Sequence, residues 1–186
     1  MNTKTKNNVK KLTAAGMLLA MALVLPILTG QIPEIGAMLC PMHIPVLLCG
    51  FICGWQWGGA VGLIAPILRS VLFGNRPPMY PTAVAMAFEL AVYGIICGMM
   101  YRAMPKKIVY YYLDLITAMV AGRLVWGAVQ FILAGIGDTE FSVKIFFAGA
   151  ITNAIPGIIL QLILIPAVVY ALGRAKLNLN DGKKPA

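Results

Sequence analysis

The chain has 186 residues, 15 of them Lys or Arg and 6 Asp or Glu; 60% are hydrophobic and mean hydropathy is +0.85. A soluble domain carries about a quarter charged residues and under half apolar ones, so an ordinary water-soluble fold, a disordered segment and a disulfide scaffold are all excluded. The length suits one domain without a nucleotide-binding module, and the chain reads as an integral membrane protein.

The net charge of +9 is not spread as a nucleic-acid stripe. Lys4, Lys6, Lys10 and Lys11 precede the first apolar segment, Arg102, Lys106 and Lys107 share one short break, and Arg174, Lys176, Lys183 and Lys184 follow the last segment. These eleven of fifteen cations flank apolar runs, as the positive-inside rule describes. Cys40, Cys49, Cys53 and Cys97 form no CxxC pair, and the single histidine is His43, so no metal site is expected. No small-x-small cleavage site follows the first apolar run before Pro33, which argues against a cleaved signal peptide.

A bilayer-crossing helix needs roughly 17–25 mostly apolar residues. The first expected span runs from Lys11 to about Leu28 and ends near Pro26, followed by a loop from Thr29 to Cys40. Pro41 to about Gly54 is a short second span interrupted by Pro45, and Gly59 to Phe73 a short third one holding Pro66 and Arg69. The proline-rich stretch Gly74–Pro81 is a loop. Thr82 to about Tyr101 is the fourth span, Ile108 to about Ala134 the fifth, and Ser142 to about Leu172 a long sixth marked by Pro156 and Pro166. The expectation is an all-α, six-helix transmembrane bundle over residues 11–173, with cytoplasmic tails at 1–10 and 174–186. The cation bias places both termini in the cytoplasm, and the loops 29–40, 74–81 and 135–141 outside with Arg76 as their only cation. Trp55, Trp57 and Tyr110–Tyr112 then fall at the inner interface as belt aromatics.

Ionisable side chains within a membrane are costly and mark functional candidates. On this topology Glu89 lies roughly 12 Å below the outer edge, at ~1.5 Å per residue. Arg69 sits near the outer end of the third span, and Arg123 in the outer half of the fifth, with Trp126 and Gln130 on the same face. Asn153 falls near mid-depth in the sixth. Each has a structural alternative: Arg69 snorkelling, Glu89 pairing with Arg69 or Arg123, Asn153 and Gln161 bonding between helices. Asp114 is expected to cap or pair locally with Lys106 or Lys107, while Glu34, His43, Arg76 and Tyr80 belong to outer loops or helix ends. In the first span Ala15, Gly16 and Ala20 make a smooth patch, suited to internal packing or to a second membrane subunit.

The short proline-interrupted second and third helices, the basic inner flank and the small-residue first helix resemble the substrate-binding S components of energy-coupling factor (ECF) vitamin transporters. Over roughly Lys10 to Gly173, Leu39–Leu48 looks like that family's loop 1 and helix 2, Phe73–Thr82 like its loop 3, and Asn153–Gly157 like its helix 6 segment. The resemblance implies a vitamin bound near the extracellular face of a prokaryotic plasma membrane, under loops 1 and 3 and between the last three helices. It also implies toppling to release the vitamin inward, driven by a transmembrane coupling subunit and two ATPases. Carried over by position, the binding residues are Gln31, Glu34, Arg69, Arg76, Tyr80, Glu89, Arg123, Trp126, Gln130 and Asn153. The family's paired alanines in helix 1 appear here only as Gly16 and Ala20, next to Ala15. Position two is Asn2 where metal-carrying relatives use histidine, so a nickel or cobalt cargo is disfavoured.

The arginines favour an anionic cargo, pantothenate first, with folate, riboflavin and a hydroxymethylpyrimidine as alternatives. A stand-alone permease is the rival transporter. An enzyme is not expected: the chain has no GxS motif, no Asp/Glu pair at helical spacing within a span, and no cofactor motif. It also lacks a GxxxxGK[ST] loop, so an ATP-driven uptake is expected to draw its energy from another subunit.

Overall fold

The structure, a computed structural model, describes residues 3–29, 40–74, 77–136, 154–175 and 178–180. Among these residues the chain forms six helices and no strand: α1 (Thr3–Thr29), α2 (His43–Cys53), α3 (Trp55–Leu72), α4 (Val84–Ala103), α5 (Ile108–Ile136) and α6 (Ile155–Arg174). One π-turn, Met79–Ala83, leads into α4. Among the described residues, four stretches are long and apolar enough to cross a bilayer: Thr5–Leu28, Met79–Ala103, Ile108–Gly135 and Ile155–Arg174.

Two of the prolines mark helix starts, whereas Pro26, Pro66 and Pro166 lie inside α1, α3 and α6. Pro45 occupies the first turn of α2 and Pro156 the first turn of α6, where the missing N–H removes no intrahelical bond. The second helix is therefore whole, and the described part of the sixth begins at Ile155. Pro26 does lie inside α1, which starts at Thr3, ahead of the expected Lys11. Its ring takes away the donor for one carbonyl of that turn, and Arg69 Nη1 donates to the neighbouring Leu23 carbonyl at 2.9 Å.

The 11-residue α2, about 16 Å long, is enclosed by the other helices, with only Ile52 reaching partial exposure. It turns into α3 through Gly54 at φ 99°, a left-handed conformation that favours glycine. Helices α3 and α4 approach backbone to backbone through two glycine pairs of spacing four, Gly58/Gly62 and Gly94/Gly98. A side chain at Gly94 would strike Gly58, and one at Gly62 would strike Leu90. Between helices in lipid, such contact replaces the hydrophobic drive with dispersion packing. Outward faces stay apolar, with Met17, Leu28, Val120, Leu124, Ile132 and Ile163 exposed as a lipid-facing surface requires.

One end of the bundle gathers the basic flanks. Asn180 Nδ2 donates to the Gly98 carbonyl at 3.1 Å and Asn178 Nδ2 to the Tyr101 hydroxyl at 2.9 Å. Lys11 Nζ lies within about 4 Å of the place a Gly54 side chain would take, and Lys106 Nζ donates to the Tyr101 carbonyl at 2.6 Å. Both asparagines are buried, so this part of the expected C-terminal tail is packed into the fold. Tyr111 is also buried, its ring 5.7 Å from that of Tyr101, so it is a core residue rather than a belt aromatic. Trp55 and Tyr112 are exposed, while Trp57 is partly buried against the core. Asp114 is buried with Oδ1 lacking a hydrogen-bond partner, as does Oε1 of buried Gln161.

The opposite end brings together the Arg69–Leu23 contact, Cys40 beside Arg123, and the Tyr80 hydroxyl donating to the Leu133 carbonyl. The expected topology puts these two ends on opposite sides of the membrane. An impermeant maleimide applied to intact cells should label Arg76→Cys and leave Lys107→Cys unlabelled until the membrane is opened. Equal labelling of both from one side contradicts the topology.

Candidate functional site

Glu89 lies four residues before Tyr93 on α4, so both side chains share a face. That face meets α5 where Gly122 lets the Tyr93 ring lie against the helix backbone; any larger residue at 122 would strike the ring. The close approach brings Arg123 alongside, its Nη1 3.1 Å from Glu89 Oε1. The Tyr93 hydroxyl donates to the same carboxylate oxygen at 2.9 Å, and His43 Nε2 lies 3.7 Å from it. Glu89 is 1% exposed and the Arg123 side chain 18%, so the pair sits in a medium where neither charge is stable without the other.

On the outer-loop side of this cluster lies a cavity of about 250 Å³, lined by Pro26 of α1, Cys40–His43, Arg69 of α3, Pro77 and Met86 of α4. His43 and Cys40 form the wall between the cavity and the ion pair: His43 faces Glu89, and Arg123 Nη2 approaches Cys40 Sγ at 3.9 Å. Arg69 lies on the cavity, half-buried, with its guanidinium 5.4 Å from the Phe73 ring centre. Among the described residues no carboxylate lies within ion-pair distance of Arg69. Largely apolar walls with a few convergent polar groups suit a small organic ligand, and an unmatched guanidinium suits an anion on it.

Three expected site residues therefore come together around this region, Arg69 on the cavity and Glu89 with Arg123 behind its wall. Tyr80 is exposed and ties the π-turn to the end of α5, Trp126 is half-buried on α5, and Gln130 is 7% exposed. Gln31, Glu34, Arg76 and Asn153 lie outside the described residues. His43 lies at a helix end, as the first residue of α2, and is buried at 3% exposure rather than solvated. On α1, Ala15 packs inward with Leu18 and Ala22, whereas Gly16 and Ala20 face away from the bundle.

His43, Cys40 and Tyr93 were not singled out as site residues from the sequence. The signal available for His43 was a lone titratable side chain in the otherwise apolar run Leu39–Leu48. Tyr93 was signalled by its spacing of four from Glu89.

Neither a curated protein nor a solved structure matches the chain. A family model described as the ECF transporter, substrate-specific component matches residues 10–169. That match takes in the cavity-lining residues from Pro26 to Met86, and it agrees with the four bilayer-length spans among the described residues. The chain thus belongs to the family of substrate-specific components of ECF transporters, integral membrane subunits of importers rather than enzymes.

Proposed function

We propose that this subunit captures a small anionic vitamin, with pantothenate the leading candidate, from the extracellular side of a prokaryotic plasma membrane. One observation carries the reading: Arg69 stands on the cavity wall without a carboxylate partner among the described residues, while the charge of Arg123 is matched by Glu89. Around the cavity, two guanidinium groups among the described residues stand against one carboxylate, and with Arg76 and Glu34 of the loops the count is three against two, so a ligand carboxylate balances the excess. Tyr80, Trp126, Gln130 and Asn153, with Gln31, Glu34 and Arg76 of the loops, complete the binding set and meet the amide, hydroxyls and apolar part of the cargo. Folate, riboflavin and a hydroxymethylpyrimidine are the other cargoes in view. Mass spectrometry of protein purified from vitamin-replete cells tests the reading: a co-purifying pantothenate-like acid supports it, and a neutral or cationic vitamin contradicts it.

Transport requires a transmembrane coupling subunit and two ATPases, docked on the α1 face that carries Gly16 and Ala20. A side-chain carbon added at Gly16 meets nothing within 4 Å, so substitution there leaves the bundle unstrained. Gly16→Leu should abolish most ATP-dependent uptake in cells while calorimetric affinity stays within about twofold, as for surface changes generally. Equal loss of binding and uptake would assign the patch to internal packing. Uptake that persists without the ATPases would identify a stand-alone permease.

A further inference from the structure

Helix α2 ends among buried residues, where its last carbonyls have no donor within the helix. The Gly50 carbonyl receives the Gly54 N–H at 3.1 Å and Asn180 Nδ2 at 3.5 Å, and the same Nδ2 donates to the Gly98 carbonyl of α4 at 3.1 Å. The Asn180 amide oxygen lies 2.9 Å from the place a Gly54 side chain would take, so the glycine makes room for it. The backbone N–H of Asn180 donates to Asn178 Oδ1 at 2.9 Å, and Asn178 Nδ2 donates to the Tyr101 hydroxyl of α4. Two asparagines from beyond the last span thus tie α2 to α4. Near this tie, α2, α3 and α4 meet at glycine backbones: a side chain at Gly50 would strike the Gly94 carbonyl, and one at Gly58 would strike Gly50. Glycines bring no side chain to interlock there, and the Asn180 amide supplies one. At its other end α2 begins with His43, which lines the cavity together with Pro41 and Met42. A whole helix of 11 residues moves as one body, so what fixes its last turn also fixes its first.

We propose that residues 178–180 form a detachable clasp, which locks α2 to α4 at the basic end of the bundle and thereby holds the cavity wall that α2 forms at the opposite end. The clasp consists of a few hydrogen bonds, each modest in net terms and offset by the cost of ordering the tail that makes them. It therefore opens without unfolding the helices. The consequence for cargo rests on the cargo-binding reading above: a closed clasp keeps the cavity in its binding shape, and an open one loosens the wall and lowers affinity. By linkage, bound cargo favours the closed clasp to the same degree.

Native cysteines report on both ends of α2 without any ligand. Cys53 is the last residue of the helix and fully buried; Cys40 lies on the cavity wall, its carbonyl accepting the His43 N–H at 3.0 Å. The full-length protein in nanodiscs is treated with a maleimide, and mass spectrometry of its peptides gives the labelling rate at each cysteine. Asn180→Ala should raise the Cys53 rate about tenfold, the loss of one or two hydrogen bonds, and the Cys40 rate several-fold. Asn178→Ala should act in the same direction more weakly. Cys49, one turn deeper in α2 and also buried, should stay unlabelled in both variants. Pantothenate should slow Cys53 labelling in the unmodified protein, and calorimetry should show Asn180→Ala binding it several-fold more weakly. An unchanged Cys53 rate in Asn180→Ala overturns the clasp, and so does Cys49 labelling as fast as Cys53, which marks a general loosening. A raised Cys53 rate with an unchanged Cys40 rate, or pantothenate binding that leaves the Cys53 rate unmoved, overturns the link to the cavity. The thiol rates are read before ligand is added, so a protein that binds no pantothenate overturns the cargo reading while those rates still decide the clasp.

Discussion

Arg123→Ala should be the most destabilising of the substitutions considered, lowering stability by about 3–5 kcal/mol. For a chain of this size that is a fall of roughly 6–20 °C in Tm. The physical reason lies in what is left behind. Glu89 is 1% exposed, and without the guanidinium 3.1 Å away its charge keeps only the Tyr93 hydroxyl and the more distant His43 ring. Buried ion pairs add little net stability compared with apolar substitutes, yet removing one member strands the other. The double variant Glu89→Gln/Arg123→Met should therefore recover most of the loss, because no unpaired charge remains. A thermal melt in detergent reads both. If Arg123→Ala melted with the wild type, the pair would be solvated and the buried cluster would not exist as described.

Arg69→Ala should have the opposite profile, with small loss of stability and large loss of binding. Its guanidinium is half-buried and gives one hydrogen bond to the Leu23 carbonyl beside Pro26, a contact whose loss costs about 1 kcal/mol. For an anionic cargo it is the charge on the cavity wall that has no carboxylate partner among the described residues. Deleting a desolvated charged partner costs roughly 2–5 kcal/mol of affinity, or about 30-fold upward. Arg69→Lys should fall between, keeping the charge but losing the planar fork that grips a carboxylate. Calorimetry with pantothenate measures the change. Normal affinity in Arg69→Ala would return this residue to the snorkelling role and remove the basis for an anionic cargo.

Much of the architecture was legible because membrane spans are set by apolar length, and loops by glycine and proline. Depth was legible too: counting residues from the expected edges placed Arg69, Glu89 and Arg123 toward one end, where the structure puts the cavity and the ion pair. Rotation about each helix axis was not legible in the same way. Glu89 had two arginines within reach, and the choice of Arg123 depends on Gly122 admitting the Tyr93 ring between α4 and α5. Reading Pro45 as an interruption hid the burial of His43, not its place at a helix end. Pro41 and Pro45 look like a broken segment, but Pro45 in the first turn of α2 is compatible with an unbroken helix that buries the histidine at its start. The Gly58/Gly62 and Gly94/Gly98 pairs carried the same spacing of four as the noticed Gly16 and Ala20. Only packing shows that the former join two helices of this chain while the latter face outward. Asn178 and Asn180 follow the last span in a basic, polar tail, and nothing local to the sequence signals that their amides reach the carbonyl and hydroxyl groups of α4.

The central claim is that charge complementarity at Arg69 selects the cargo, and calorimetry on the unmodified protein with pantothenate and its neutral alcohol analogue tests it most directly. The two ligands share the amide and hydroxyls and differ at the carboxylate, so their affinity ratio isolates the anion. The account predicts that the acid binds at least about tenfold tighter, the yield of one charge-assisted contact. Equal affinities for acid and alcohol would contradict it.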